Sequence, residues 1–184
     1  MDIKFITEHL KSLYNEIHLL HIDIAKFWYD NILLSWRWWI LVSFLIVPWI
    51  LWLIIRKKES TQRFLFVGFF VMIVSALLDK LGTALGLWFY PISAFPLIPE
   101  FLSYDMCVLP VVTMLTLQFF PKLSPTLKAL IYSAAASFIF QPLTEWIGLY
   151  QNILWKDYYS FPILFIIYLA ANYMFERDHF AKLK

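Results

Sequence analysis

Long apolar runs alternate with short polar connections along most of the chain, and they define its predicted elements. An α-helix needs about 20 predominantly apolar residues to cross the hydrocarbon core of a bilayer. Runs of this kind predict membrane-spanning helices at about residues 38–55, 64–87, 101–120, 127–149 and 161–175. The pattern therefore predicts an all-α fold, a polytopic transmembrane helix bundle of about five spans within residues 37–176.

Residues 1–36 precede these runs and show a different periodicity. Apolar side chains recur there at alternating steps of three and four residues, the spacing of a narrow helical seam. The seam consists of Ile3, Ile6, Leu10, Leu13, Ile17, Leu20, Ile24 and Phe27. This spacing predicts an N-terminal amphipathic helix that either lies on the membrane or the bundle, or associates with a second copy of the chain through the seam.

Composition places the chain among membrane proteins and predicts the lipid bilayer as its partner. Hydrophobic residues make up 61% of the sequence and charged residues only 15%, and the mean hydropathy is +0.69. A soluble domain carries a larger charged fraction. The basic residues form no stripe interleaved with aromatic residues, so nucleic acid is not expected as a partner. The single cysteine, Cys107, excludes an intrachain disulfide.

Lysine and arginine residues in the short loops predict the orientation, because cytoplasmic loops carry an excess of them. One face carries Arg56, Lys57, Lys58, Arg63, Lys122, Lys128, Arg177, Lys182 and Lys184. The opposite loops hold only Lys80 and Lys156. We therefore expect residues 177–184 to form a cytoplasmic tail and residues 1–36 to lie outside.

Three carboxylates within or at the ends of apolar runs are the strongest candidates for a functional site: Asp79, Asp105 and Glu145. A charged side chain near the bilayer centre costs about 2.5 to 3.5 kcal/mol even on the most lenient scale, so such groups usually face the protein interior. A helical rise of about 1.5 Å per residue places all three in the outer part of the bilayer. We expect them to converge there in one layer.

Helical spacing predicts which way these acids point, because residues three or four apart share a face. One row, at steps of four, three and four residues, consists of Ser75, Asp79, Gly82 and Gly86. A second row, at steps of four, consists of Ser133, Ser137, Gln141 and Glu145. Small residues in such rows let helices pack closely. The rows are expected to line an inward-facing pocket, or to form a buried polar network that fixes the packing of the bundle.

Aromatic residues and prolines crowd the connections predicted to lie outside. Trp88, Tyr90, Glu100 and Trp146 are candidate ligand contacts in these connections. Most aromatic residues in such loops form an interfacial belt. The connection at residues 88–104 is too rich in proline for an ordinary helix and too apolar for a solvated linker, so we expect a lid over the acids.

Three classes of function remain open. The pocket of acids and aromatic rings could bind a small or lipid-like ligand, a cation or a proton from the outer side. The protein could instead be an accessory subunit, joined to a membrane partner protein or to further copies of itself. It could also be a membrane-integral enzyme that uses acid catalysis on a prenyl or other lipid substrate. No cofactor motif is evident, and no metal site is expected, because His18 and His21 have no third ligand at a suitable spacing.

One segment resembles a known family of membrane proteins. Its matching residues are Leu78, Asp79, Gly82, Gly86, Leu87, Trp88, Tyr90, Pro91, Pro96, Pro99, Asp105 and Pro110. With the spacing of the predicted spans over residues 38–176, they resemble a family of small five-span integral membrane proteins of unknown function from Bacillus-like and clostridial Firmicutes. The resemblance implies a bacterial cytoplasmic membrane and assigns no catalytic residue. The layout of acids and aromatic rings is also similar to that of heterodimeric lycopene cyclases, whose motifs the chain does not match.

Overall fold

The computed structural model describes residues 2–98 and 101–177, and nearly all of its regular structure is helical. The helices are α1 (Ile3–Asn31), α2 (Trp36–Ile55), α3 (Thr61–Ala84), α4 (Leu109–Phe119), α5 (Pro125–Ala135), α6 (Gln141–Ile147) and α7 (Asp157–Glu176). Two short strands, β1 (Trp88–Phe89) and β2 (Gln151–Asn152), pair in an antiparallel ladder. Helices account for 79% of the structure, which confirms the predicted all-α fold.

Three of the described helices are long and apolar enough to cross a membrane. They are α2, the helical stretch Lys58–Ala84, which includes α3, and α7. The apolar stretch Tyr104–Phe119, which includes α4, is shorter. Helical backbone also runs without a gap from Pro125 to Ile147, through α5 and α6. The chain thus has the helices of a membrane protein, and five crossings stay a prediction.

A π-helical turn, Tyr104–Val108, leads into α4 just before Pro110. Proline has no N–H group, and in an α-helix its ring clashes with the carbonyl four residues earlier. The wider turn relieves that clash and leaves the carbonyl of Met106 without a helical donor at Pro110. The indole Nε1 of Trp49 donates to Met106 O instead, at 3.2 Å. This bond ties the start of α4 to α2.

A second π-helical turn, Ala136–Phe140, separates α5 from α6 and again comes just before a proline, Pro142. The same steric conflict between the proline ring and the preceding turn accounts for it. The run predicted as a uniform helix over residues 127–149 is therefore one helical path with a wide turn inside it.

The main core lies between α3, α4, α5 and α7. Its fully buried side chains include Phe64, Val67, Val71, Met114 and Tyr168. A smaller cluster, which packs the loops after α3 and α6 against α2, consists of Leu41, Ala94, Phe101 and Leu149. Phe101 of the smaller cluster and Leu164 and Ile167 of the main core also line the cavity described below. The candidate site therefore lies where the two clusters meet.

The N-terminal helix α1 stands apart from this core. The structure describes all of α1, and Trp28 is its only buried residue. The indole Nε1 of Trp28 donates to Ser93 O at 2.9 Å and holds the end of α1 to the loop after α3. A helix is therefore present within residues 1–36, whereas its position on a membrane stays a prediction. Of the predicted tail, only Arg177 is among the described residues.

Candidate functional site

A Schellman motif ends α3 and turns the chain into the loop that follows. Gly86 has a φ of 67°, a left-handed conformation that glycine adopts at little cost. The N–H of Gly86 donates to Thr83 O and the N–H of Leu87 donates to Gly82 O, both at 3.0 Å, which are the two bonds of this motif. Gly86 was expected on a helix-packing face, but it lies beyond α3, and a Cβ built there has no neighbour within 4 Å.

The same motif ends α6. Gly148 has a φ of 85°, its N–H donates to Glu145 O, and the N–H of Leu149 donates to Thr144 O, both at 2.9 Å. The residues after this motif enter β2, which pairs with β1. In addition, Leu87 O accepts from the three successive N–H groups of residues 153–155, at 3.0, 3.0 and 3.2 Å. These hydrogen bonds join the segment after α3 to the segment after α6.

Gly86 and Gly148 have side chains of the same kind at the same sequence distances before and after them. Asp79 and Gln141 each lie seven residues before the glycine that ends their helical run. Trp88 and Tyr150 each follow it by two residues. At the end of α3, Asp79 accepts a hydrogen bond from Trp88. At the end of α6, Gln141 donates a hydrogen bond to Tyr150. The site is built from two similar helix ends.

Asp79 is the shared acceptor of the hydrogen bonds at the end of α3. Its Oδ1 accepts from Trp88 Nε1 at 2.8 Å and from the Tyr90 hydroxyl at 2.5 Å. Its Oδ2 accepts from the backbone N–H of Phe101 at 3.0 Å. The Asp79 carboxyl group therefore binds the connection predicted to act as a lid at Trp88 and Tyr90, before residues 99–100, and at Phe101, after them.

Asp105 lies beside Asp79 and lines the same cavity, and the two carboxyl groups interact. The backbone carbonyl of Asp105 accepts from Ser75 Oγ at 3.2 Å, because its donor in the π-helical turn would be Pro110, which has no N–H. A hydrogen bond between two carboxyl groups requires a proton on one of them. A pair that shares one proton in this way carries one negative charge.

Two tyrosines complete the polar part of the site. Burial raises the pKa of Tyr90 well above its usual value, and the negative charge of the carboxyl pair raises it further, so Tyr90 remains a hydrogen-bond donor. Burial also raises the pKa of Tyr150. The Tyr150 hydroxyl accepts from Gln141 Nε2 at 2.8 Å and donates to Asn152 Oδ1 at 2.6 Å. Both hydroxyls are therefore fixed in their protonated form.

These side chains line a cavity of about 120 Å³ between α3, α6, α7 and the π-helical turn before α4. Its polar wall includes Ser75, Asp79, Asp105, Gln141, Thr144 and Ser160. Its aromatic wall includes Trp88, Tyr90, Tyr104, Tyr150 and Trp155. No lysine or arginine is among the described residues of the lining. The cavity combines two carboxyl groups with aromatic faces.

Gly82 allows the indole of Trp88 to lie directly against α3. A Cβ built at Gly82 would come within 2.0 Å of the Trp88 ring, much closer than real Cβ contacts. The sequence pattern predicted that Gly82 lets two helices approach. The structure places a side chain of the following loop there instead, in position to donate to Asp79.

Glu145 lies outside the cavity lining. Its carboxylate accepts from Gln151 Nε2 at 3.2 Å and from Asn152 Nδ2 at 3.3 Å, because the turn at Gly148 brings β2 back over the end of α6. Its carboxylate bonds therefore run to the loop between α6 and α7. Three acids were expected to converge. The structure brings Asp79 and Asp105 together in the cavity and places Glu145 outside it.

The other predicted residues have different surroundings. Trp146 is 84% exposed, so it does not line the cavity, and Glu100 lies outside the described residues. Ser133 is buried, and its Oγ donates to Ala129 O at 2.7 Å. Ser137 is also buried, and its hydroxyl has no hydrogen-bond partner within residues 2–98 and 101–177. Neither serine reaches the cavity.

Sequence reasoning did not assign several groups that the structure places in the site, namely the Phe101 N–H, Tyr104, Thr144, Tyr150 and Ser160. The signal that could have found Tyr150 is the repeated Gly-Leu-aromatic sequence at Gly86 and Gly148. The backbone donor of Phe101 has no sequence signal. In the described part of the chain, no group of three or more His, Cys, Asp or Glu side chains is placed to hold a metal ion.

Comparisons with protein-family models, with curated proteins and with solved structures give no significant match for this chain. The resemblance to a five-span family in the segment around Asp79 therefore stays a prediction.

Proposed function

We propose that this chain is a multi-pass protein of the bacterial cytoplasmic membrane, with its N-terminus outside and its C-terminus inside, that binds a small ligand in its outer cavity. The group that enters the cavity is a small organic cation of the ammonium type. A free ammonium compound and the headgroup of a lipid share this chemistry. The observation that carries the proposal is the Asp79–Asp105 pair in a cavity with no basic side chain in its described lining.

The charge of the carboxyl pair favours a cation. We take the carboxyl pair to share one proton and to carry one negative charge. A cation that enters the cavity is attracted to that charge. It also lowers the affinity of the carboxyl pair for its proton, because an opposite charge favours ionisation. We therefore expect the proton to leave as the cation binds.

The size and the walls of the cavity favour an organic cation. Its volume of about 120 Å³ is slightly less than the roughly 150 Å³ of an engineered cavity that holds benzene. A group of the size of tetramethylammonium is therefore suitable, and a longer chain would extend out of the cavity. Rings such as those of Trp88, Tyr104 and Trp155 attract a cation to their faces. Aromatic walls around an acid are the features that ammonium recognition uses.

Acid catalysis is a second candidate, favoured by the proton that the carboxyl pair must hold. A carboxylic acid beside aromatic rings can protonate an alkene, and the rings then stabilise the carbocation. In that case a prenyl-type substrate, and not an ammonium compound, would occupy the cavity. The two candidates differ in whether a bound molecule is released unchanged.

The binding proposal predicts a coupled release of protons. Isothermal titration of the detergent-solubilised protein with tetramethylammonium, in buffers of different ionisation enthalpy, should show release of about one proton for each cation bound. Asp105→Asn should release none and should bind about tenfold more weakly, a difference of about 1.4 kcal/mol, because asparagine donates to Asp79 but cannot become charged.

Two controls accompany this titration. Glu145→Gln removes an acid outside the cavity and should titrate as the unmodified protein does. tert-Butanol, a neutral molecule of similar size, should not bind measurably. Equal binding of both probes, or proton release that persists in Asp105→Asn, would contradict the proposal.

A further inference from the structure

The side chains of α1 form an apolar seam that the rest of the described chain leaves uncovered. Along the helix the fraction of each side chain that is exposed stays high, for example 61% for Leu20 and 62% for Phe27. Within residues 2–98 and 101–177, the one residue of α1 that is buried is Trp28, near its end. A helix of 29 residues is about 43 Å long. A large apolar stripe is thus presented to a partner.

We infer that α1 pairs with α1 of a second copy of this chain in a parallel two-stranded coiled coil, and that the protein is a dimer through this segment. The seam residues fill the two apolar positions of four successive heptads. The first of these positions holds Ile3, Leu10, Ile17 and Ile24. The second holds Ile6, Leu13, Leu20 and Phe27. Isoleucine at the first position with leucine at the second favours two strands in parallel dimers.

The charges beside the seam favour the parallel arrangement. One flank is acidic over most of its length and consists of His9, Glu16, Asp23 and Asp30. The other flank consists of Thr7, Tyr14, His21 and Trp28. In a parallel pair each flank faces the opposite flank of the partner, so Glu16 lies opposite His21 of the second copy. In an antiparallel pair the acidic flank faces itself, and like charges repel.

The same charges disfavour a lipid surface as the occupant of the seam. Helices that lie in the membrane interface usually carry lysine and arginine on their polar face. Residues 1–36 hold three lysines against five acids, and Glu16 and Asp23 lie directly beside the seam. Anionic lipid would therefore repel the flank that has to approach it. A second copy, in which those acids face neutral or basic side chains, has no such conflict.

The bundle leaves room for a second helix beside the end of the seam. A groove of about 760 Å³ lies between α1 and the loop after α3. Ile24 and Phe27 of the seam line it on one side, and Phe89 and Pro91 line it on the other. Ile24 is 53% exposed and Phe27 is 62% exposed, so the loop does not cover this end of the seam.

Cysteine cross-linking in the full-length protein tests the inference. In a Cys107→Ser background, Leu20→Cys places a thiol in the seam and Asn15→Cys places one on the opposite side of the same exposed helix. Mild oxidation in membranes should join Leu20→Cys into a covalent dimer in at least half of the chains. Asn15→Cys should remain monomeric under the same conditions.

A second variant separates pairing from stability. Leu13→Glu together with Leu20→Glu should shift the solubilised protein from dimer to monomer in native mass spectrometry. Thermal unfolding of the bundle should change little, because these side chains are exposed and contribute nothing to the core. Equal cross-linking at positions 15 and 20, no cross-linking at position 20, or a dimer that survives both glutamates would overturn the inference. The result does not depend on what the cavity binds.

Discussion

Asp79→Asn is expected to lower the free energy of unfolding by about 3 kcal/mol, because it leaves buried donors without a proper acceptor. The asparagine oxygen can still accept from Trp88 and Tyr90. Its amide nitrogen then faces the N–H of Phe101, which donates to Asp79 Oδ2 at 3.0 Å in the unmodified protein and has lost that acceptor. Two donors that face each other repel. The loop after α3 should detach from the cavity.

Thermal or denaturant unfolding in a mild detergent, followed by tryptophan fluorescence, measures this loss. The matched control is Glu145→Gln, since its carboxylate accepts from two side-chain amides at the surface of the loop between α6 and α7. That variant should lose less than about 1 kcal/mol. Equal stability of Asp79→Asn and the unmodified protein would show that the three hydrogen bonds to Asp79 do not hold the loop.

Gly82→Ala is expected to destabilise the protein by about 2 kcal/mol, although alanine is a better helix former than glycine. The added methyl group would come within 2.0 Å of the Trp88 ring, so the indole has to leave α3 and lose its bond to Asp79. The same substitution at Gly68 is the control. There the new Cβ meets the flexible end of Met114 at 2.9 Å, which can move.

The two glycine variants are compared by unfolding temperature in the same detergent. Gly82→Ala should unfold at a clearly lower temperature, whereas Gly68→Ala should remain close to the unmodified protein. A stabilised Gly82→Ala would mean that Trp88 does not rest on α3. The comparison therefore tests the position of Trp88 independently of the charge at Asp79.

The apolar runs predicted α2, α3 and α7 closely, because a helix that can cross a membrane needs an apolar run of about its own length. The first run was predicted at residues 38–55, and α2 spans Trp36–Ile55. The start of the last helix was predicted at residue 161, but α7 begins at Asp157. Its first turn is polar and aromatic, so hydropathy alone does not mark it.

The juxtaposition of Asp79 and Asp105 was also predictable, because a fixed helical rise places both at the same height on two helices. The position of Glu145 was not. Its surroundings depend on the left-handed turn at Gly148, which folds the following residues back onto α6. Helical periodicity predicts the face of α6 on which Glu145 lies. The turn at Gly148 determines which residues pack over that face. Contacts such as the Phe101 N–H to Asp79 are set by the path of the loop and leave no pattern in the sequence.

Native mass spectrometry of protein gently extracted from its own membrane shows whether the Asp79–Asp105 cavity holds a cationic ligand, as we claim. The unmodified protein and Glu145→Gln should carry the same bound ammonium compound or ammonium-headed lipid, identified after release. Asp105→Asn, if it folds with an unchanged unfolding temperature, should carry much less of it. A protein that carries no specific molecule, or one whose bound molecule is neutral and retained by Asp105→Asn, would contradict the claim.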